Sequence, residues 1–494
     1  MVDIDTFQRV PHVQPGVDAT LNGILAAKLT NLMQTVASFG NNIPAVPGCV
    51  FMVRRDGQPF VSVASGWARM PTGAPGSVTV DDHLPMSEET VVHIASMAKS
   101  ICAVAVAALV DDWNNLFERL RHLPAPPTAN PPAMIDPDTV PAAIRPLFEQ
   151  PRLAMRIDGE LMPRIPPRWR PWVVASANRP QAASIPPRHT YPFAAGLLIS
   201  VLRLWDKLTP ATPVLRLMHR RLVMEAHVAG LTVVSRADTN LLTLMDLLRH
   251  ESGLREEDAT DGNAAEPTDG LASYPLWPRV INVLNDGRIQ AAGYRNVNFS
   301  ILGAVIEAVT EQRYTDWVRF RVLGDATRFP AIERRAVPRA LAAKYYPDGF
   351  ATRANPAATG VFHPDYTNWS ANGGFYVTAS EFTDWMYAVY AGLPVRGGTP
   401  IVSSGGRTLL FGADPIFSGG NRLSMVNTAG TAYYGFEKNG GTGVAGGSTN
   451  GNLKIFTPQH AGGPVYTAFV LMNGAAAAER FFDPLFAELM AHLP

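Results

Sequence analysis

Apolar residues recur along this chain with several spacings, and each spacing predicts a different element. Over residues 17–36 they fall at helical intervals, which predicts an amphipathic N-terminal helix. At 49–53 and 60–66 they form short β-rich runs around Arg55-Asp56-Gly57, and the Asp-Gly pair predicts an antiparallel hairpin. A continuous apolar run at 101–110 predicts a buried helix with Ser96 at its head. Helical spacing returns at 193–205, 241–249 and 301–310. Near the end, short strand-like runs at 451–457 and 465–472 precede a closing amphipathic helix at 478–492. Sheet elements at both ends with helices between them predict an α/β (α+β) fold in one domain spanning 1–494. Its discontinuous α/β lobe covers about 16–95 and 375–494, and its helical lobe about 96–374.

The pattern breaks between about 112 and 192. Seventeen prolines fall from Pro124 to Pro192, among them Pro126-Pro127, Pro131-Pro132, Pro166-Pro167 and Pro186-Pro187. Such density stops long helices and excludes central strands, so a long, irregular, proline-stiffened insertion is expected. Excursions of this length serve as lids, as interface arms or as disordered segments. Its arginines (Arg152, Arg156, Arg164, Arg168, Arg170) and tryptophans (Trp169, Trp172) are candidates to line a cleft or to meet a partner subunit, and a homo-oligomer built through this arm is one expectation.

With 494 residues and 47% apolar content, the chain is long enough for a substantial core. Forty-two acidic residues balance forty-two basic ones, so no net field favours nucleic acid or an anionic membrane, and a small-molecule substrate is expected instead. The start, Met1-Val2-Asp3-Ile4-Asp5-Thr6, has neither a basic region nor an apolar core of a signal peptide. No apolar run reaches the length of a membrane span. Two cysteines, Cys49 and Cys102, are too few for a disulfide framework and read as buried, reduced packing residues, so a cytoplasmic location is expected. No Cys/His pattern suits a structural zinc, and no cofactor is expected.

The candidate chemistry begins at Ser96-Met97-Ala98-Lys99. Residues three apart on a helix share a face, so a lysine amine can approach a serine oxygen and help to make it nucleophilic. The chain has six lysines against thirty-six arginines, and one of the six stands here. Arginine stays protonated, whereas a desolvated lysine can be neutral near pH 7 and accept a proton. Tyr294-Arg295-Asn296 directly precedes the helical pattern at 297–310. Lys438-Asn439-Gly440-Gly441 places a lysine on a candidate strand beside glycines that let a backbone approach a ligand. His250, in Leu247-Leu248-Arg249-His250-Glu251-Ser252-Gly253-Leu254, reads as a residue at a helix end rather than a base, and His93 as a packing residue. Gly441-Thr442-Gly443-Val444-Ala445-Gly446 matches G-x-G-x-x-G, but a strand pattern follows it where a dinucleotide site needs a helix. No G-x-S-x-G elbow occurs.

In the order S-x-x-K, Y-x-N, K-x-G, these motifs resemble those of the serine β-lactamase and penicillin-binding-protein-like superfamily. The nearest resemblance is to the group of class C β-lactamases, D-Ala-D-Ala carboxypeptidases and family VIII carboxylesterases. Residues 47–66 are similar to the family's opening hairpin, 241–254 to its L-L-x-H-x-S-G-L segment, 372–379 to its G-G-L-x-S-T-A segment and 207–214 to its G-K-L-x-L-D-x-P-V segment. The last of these normally follows the serine helix almost at once; here about eighty residues intervene.

The resemblance implies a serine hydrolase with catalytic Ser96, Lys99 and Tyr294 and an oxyanion hole from the backbone N–H groups of Ser96 and Gly441. It assigns substrate binding and electrostatic support to Asn296, Lys438, Asn439 and Gly440. Asn439 stands where β-lactamases and carboxypeptidases carry a threonine or serine that helps to bind a substrate carboxylate. That departure turns the expected substrate toward small carboxylic esters, with hydrolysis or acyl transfer as the reaction. The alternatives are β-lactamase-like, D-amino peptidase or amidase action on an amide at the same site, and a non-catalytic member used for binding or assembly.

Overall fold

Seven antiparallel strands form the central layer of the computed structural model. They are β1 (Gly48–Arg55), β2 (Gln58–Arg69), β3 (Leu84–Pro85), β6 (Arg422–Val426), β7 (Ala432–Val444), β8 (Gly447–Pro458) and β9 (Tyr466–Met472), in the spatial order β3-β2-β1-β9-β8-β7-β6. A separate pair, β4 (Val92–His93) and β5 (Tyr376–Val377), lies between the two parts of the sheet in sequence. The structure describes residues 17–35, 47–69, 84–179, 194–256, 276–288, 290–324, 342–345, 370–394, 399–417, 422–444, 447–460, 462–474 and 478–494. The acidic stretch at 1–6, the Pro186-Pro187 pair and the Ala445-Gly446 end of the G-x-G-x-x-G run lie outside these residues.

The hairpin at the start is made by its turn. Asp56 and Gly57 both take positive φ, 50° and 78°, the pair of values a two-residue turn needs to match strand twist. β1 then pairs with β9, so the two ends of the chain meet in mid-sheet. Alternation explains the unbroken apolar run in β1, because both of its faces are covered. Cys49, Phe51 and Val53 pack under the terminal helices Ala19–Thr35 and Ala478–Ala491, in a core with Leu25, Leu29, Phe481 and Leu485. Val50 and Met52 face the larger core, which holds the helices Ala98–Arg121, Val297–Thr310 and Ala379–Ala391. Cys49 and Cys102 are both buried and free. Among the described residues, no helix is long and apolar enough to cross a membrane.

Several expected elements change their bounds. The apolar run at 101–110 belongs to a 24-residue helix that continues through Asp111, Asp112 and Trp113 to Arg121, where Arg119 and Arg121 suit the negative end of the dipole. The helical pattern at 241–249 is only the short helix Leu244–Leu248, opened by a capping box in which Thr243 and Asp246 satisfy each other's backbone N–H. The proline-rich stretch is built from helices of one to two turns. Its helices Arg145–Glu149, Pro151–Met155 and Arg170–Ala177 each carry proline in the first turn, the helical position where a missing N–H costs nothing. Trp169 and Trp172 are buried against each other, ring centroids 5.4 Å apart, in the same core as the Ala98–Arg121 helix. Part of each ring also lines a pocket shared with Pro127, Met134 and Thr139.

Candidate active site

Ser96 does not lie in the α-helix. It occupies a 3-10 turn, Ala95–Met97, that feeds the helix beginning at Ala98. Ala95 enters this turn at φ 48°, a left-handed value that costs an L-residue about 1 kcal/mol. Backbone strain of this kind is common at functional positions. Lys99, buried in the first turn of the helix, then reaches back. Its Nζ donates to Ser96 Oγ at 2.9 Å, to Asn296 Oδ1 at 2.8 Å and to the carbonyl of Asn372 at 2.8 Å. Asn296 Oδ1 and the Asn372 carbonyl can only accept, so they fix two N–H directions and turn the third tetrahedral position of the nitrogen onto the serine.

Tyr294 closes the group from the other side, its hydroxyl donating to Ser96 Oγ at 2.7 Å. Two cations flank its ring: Lys99 Nζ stands 5.0 Å and Lys438 Nζ 5.2 Å from the centroid. Packing pushes the Tyr294 phenol above the usual tyrosine range, the Ser96 hydrogen bond pulls it down, and the charge of Glu256 pushes it up. The side chain is still 48% exposed, so a substrate can reach it.

Lys438 arrives on β7. Among the described residues, β7 pairs only with β8 beyond Phe436, and there it packs on the Ala95–Met97 turn. Gly440 makes that approach possible, since a Cβ on it would stand 2.5 Å from the carbonyl oxygen of Ile94 and 3.0 Å from Met97 N. Lys438 is buried, and burial lowers its ammonium to about 8. Gly441 follows on the same strand, opposite Asn450 on β8. Alternation sends Asn439 to the other face from Lys438 and Gly440. There its Oδ1 accepts from Asn452 Nδ2 on β8, beside the Glu437–Lys454 ion pair, so the amide is engaged across the strands.

The structure therefore brings Ser96, Lys99, Tyr294, Asn296, Lys438 and Gly440 together and leaves the Asn439 side chain outside that group. His250 is buried at φ 60°, two residues past the end of the helix Leu244–Leu248. Its ring packs against those of Tyr294 and Phe299, and burial, then the charges of Lys438 and Lys99, lower it to about 3. His93 is buried too, lowered to about 3 by desolvation, 5.0 Å from the Tyr376 ring. Two participants had no role assigned to them from the sequence. Asn372 acts through its backbone carbonyl, which has no residue signature, and Glu256 meets the site through backbone N–H groups.

A serine oxygen between an amine and a phenol, beside a second lysine, has two neighbours able to exchange its proton. A family model described as Beta-lactamase matches residues 27–136 and 192–480, and the chain belongs to that family, within the serine β-lactamase and penicillin-binding-protein-like superfamily. The internal stretch between the two matched parts, 137–191, falls inside the proline-rich insertion. The family's members are serine hydrolases. No curated protein matches the chain. Among solved structures, the octameric penicillin-binding protein homologue from Pyrococcus abyssi is 14% identical, with 92% of this chain and 73% of that one covered and a TM-score of 0.48. A D-stereospecific amidohydrolase from Streptomyces sp. is 12% identical, with 93% and 98% covered and a TM-score of 0.46. EstA from Arthrobacter nitroguajacolicus Rue61a is 10% identical, with 97% and 98% covered and a TM-score of 0.45. Family membership rests on the family model, not on these likenesses.

Proposed function

We propose that this protein is a serine hydrolase that forms an acyl-enzyme on Ser96 and acts on small carboxylic esters, releasing the acyl group to water or to an alcohol or amine acceptor. The observation that carries this reading is the placement of Ser96 Oγ between Lys99 Nζ at 2.9 Å and the Tyr294 hydroxyl at 2.7 Å. In its neutral form Lys99 keeps two N–H groups on Asn296 and Asn372 and turns its lone pair to the serine.

In this mechanism Ser96 Oγ attacks the acyl carbonyl carbon while its proton passes into the Lys99–Tyr294 pair. The oxyanion meets the backbone N–H groups of Ser96 and Gly441, and one such donor is typically worth about 3 kcal/mol in the transition state. Collapse breaks the acyl C–O bond, and the leaving alkoxide takes the proton back from the same pair. Water then repeats the sequence on the acyl-enzyme and releases the carboxylic acid. The two proton-handling groups titrate as a set. Asn439, tied to Asn452 on the far face, supports esters over substrates that need a hydroxyl there to hold a carboxylate.

The test compares hydrolysis of a short p-nitrophenyl ester and of a chromogenic cephalosporin by wild type and Ser96→Ala. Ester turnover that disappears in the variant, with a Ser96 adduct from a fluorophosphonate in the wild type, supports the reading. Ester turnover surviving in Ser96→Ala refutes it, and faster cephalosporin turnover moves the substrate to amides.

A further inference from the structure

Three successive backbone N–H groups, those of Arg295, Asn296 and Val297, open the helix Val297–Thr310, and each is accepted by a side chain from the segment 250–256. His250 Nδ1 accepts from Arg295 N at 3.1 Å, Glu256 Oε2 from Asn296 N at 2.8 Å and Glu256 Oε1 from Val297 N at 3.0 Å. The first N–H groups of a helix have no partner inside it, and an asparagine at the preceding position ordinarily offers its own side chain. Asn296 makes no such cap, because its Oδ1 is committed to Lys99. Glu256 performs the capping instead, from outside the helix, and a carboxylate there also suits the positive end of the dipole. Its two oxygens thereby hold the peptides on either side of Asn296, one residue from Tyr294.

The groups facing Tyr294 come from four elements. Lys99 approaches from the helix Ala98–Arg121 and Lys438 from β7, and His250 lies against the ring with centroids 4.5 Å apart. Arg295, on the tyrosine's own turn, donates from its guanidinium to the Tyr294 carbonyl at 3.0 Å. Glu256 is the carboxylate of this set. A protonated lysine beside the ring favours a phenolate, and the carboxylate favours a phenol.

We propose that Glu256 is a positioning residue of this site: its carboxylate holds the Tyr294–Asn296 turn against Ser96, and its charge opposes the phenolate form of Tyr294. The charge of Glu256 acts in that direction on the phenol. The catalytic half of this inference rests on Ser96 being the nucleophile; the electrostatic half does not.

The experiment labels the tyrosines of the full chain with 13C at Cζ, assigns Tyr294 by its loss in Tyr294→Phe, and titrates wild type, Glu256→Gln and Glu256→Asp. In Glu256→Gln the Tyr294 pKa is expected to fall by about 0.5 to 1 unit, the effect of removing one nearby like charge from the phenolate form. Glu256→Asp keeps the charge and is expected to titrate within about 0.3 unit of wild type. For ester turnover, kcat is expected to fall about 10-fold or more in Glu256→Gln with KM within about 3-fold. An unmoved Tyr294 titration in folded Glu256→Gln overturns the proposal. If that variant does not fold, Glu256→Asp decides: a wild-type titration supports the proposal, and a fall of about 0.5 unit despite the retained charge overturns it. A wild type without ester turnover or Ser96 labelling defeats the proposed function and leaves the Tyr294 titration to judge Glu256.

Discussion

The imidazole of His250 lies against the phenol ring of Tyr294, centroids 4.5 Å apart and planes 33° from parallel, while its Nδ1 accepts the N–H of the next residue, Arg295, at 3.1 Å. One side chain thus supports the tyrosine from beneath and from behind. With its pKa lowered to about 3 it stays neutral under assay conditions, so it serves as a wall and not as a base. His250→Ala is therefore expected to lower kcat for an ester about 10- to 100-fold with little change in KM. The wild-type kcat/KM profile should show no inflection near pH 6.5. An inflection there that the variant abolishes would make His250 a proton carrier instead.

The same lowered values set an acid limit on stability. His93 and His250 are both buried and both lowered to about 3, while an unfolded histidine titrates near 6.5. Between those values the unfolded chain binds more protons than the folded one, so stability is intact above about pH 6.5 and is lost as pH falls toward 3. At pH 5 each histidine accounts for about 2 kcal/mol of that loss. Urea midpoints measured from pH 7 to pH 5 should fall steeply in wild type and less steeply in His250→Asn. A slope unchanged by the substitution would remove His250 from this account.

The hairpin at 48–69, the closing strands and the terminal helices were legible because one period per element and an Asp-Gly turn specify them locally. The order of Ser96, Lys99, Tyr294 and Lys438 along the chain was legible as well, since residue types at fixed spacing survive without coordinates. What could not be read depends on tertiary approach. Asn372 contributes a carbonyl, Glu256 replaces a cap that Asn296 relinquished, and Asn439 is turned from the site by strand alternation. The left-handed turn at Ala95 is invisible for the same reason: alanine carries no propensity for φ 48°, and surrounding packing imposes it.

Lys438 stands buried with its cation near the Tyr294 ring and with no ion pair among the described residues. Burial lowers its pKa to about 8, so the positive potential it lends the site exists below about pH 8 and fades above it. Ester kcat/KM is expected to decline above that pH in wild type, and Lys438→Met to lose activity about 10-fold or more at pH 7 with no decline near 8. The folded state disfavours this charge, so the methionine variant should be about 1 to 3 kcal/mol more stable at pH 7. Equal stability together with a retained limb at pH 8 would assign the limb to another group.

The proline-rich insertion meets the rest of the chain at the far ends of two helices. It follows Arg121, the end of a 24-residue helix that spans about 36 Å from the Ser96 turn. Arg156 forms a two-bond pair with Glu311, 3.0 and 2.9 Å, just past the end of the helix whose start carries Asn296. Trp169 and Trp172 are buried within the core these helices share. Trp172→Ala should therefore cost about 3 to 5 kcal/mol of stability, in one cooperative transition, because it opens a cavity in a shared core. At a temperature where the variant remains folded, its ester kcat should match wild type, since nothing that touches Ser96 has moved. Unfolding in two separate transitions would make the insertion an independent arm. A fall in kcat with stability retained would make it a lid, reaching the site across a distance the helices now argue against.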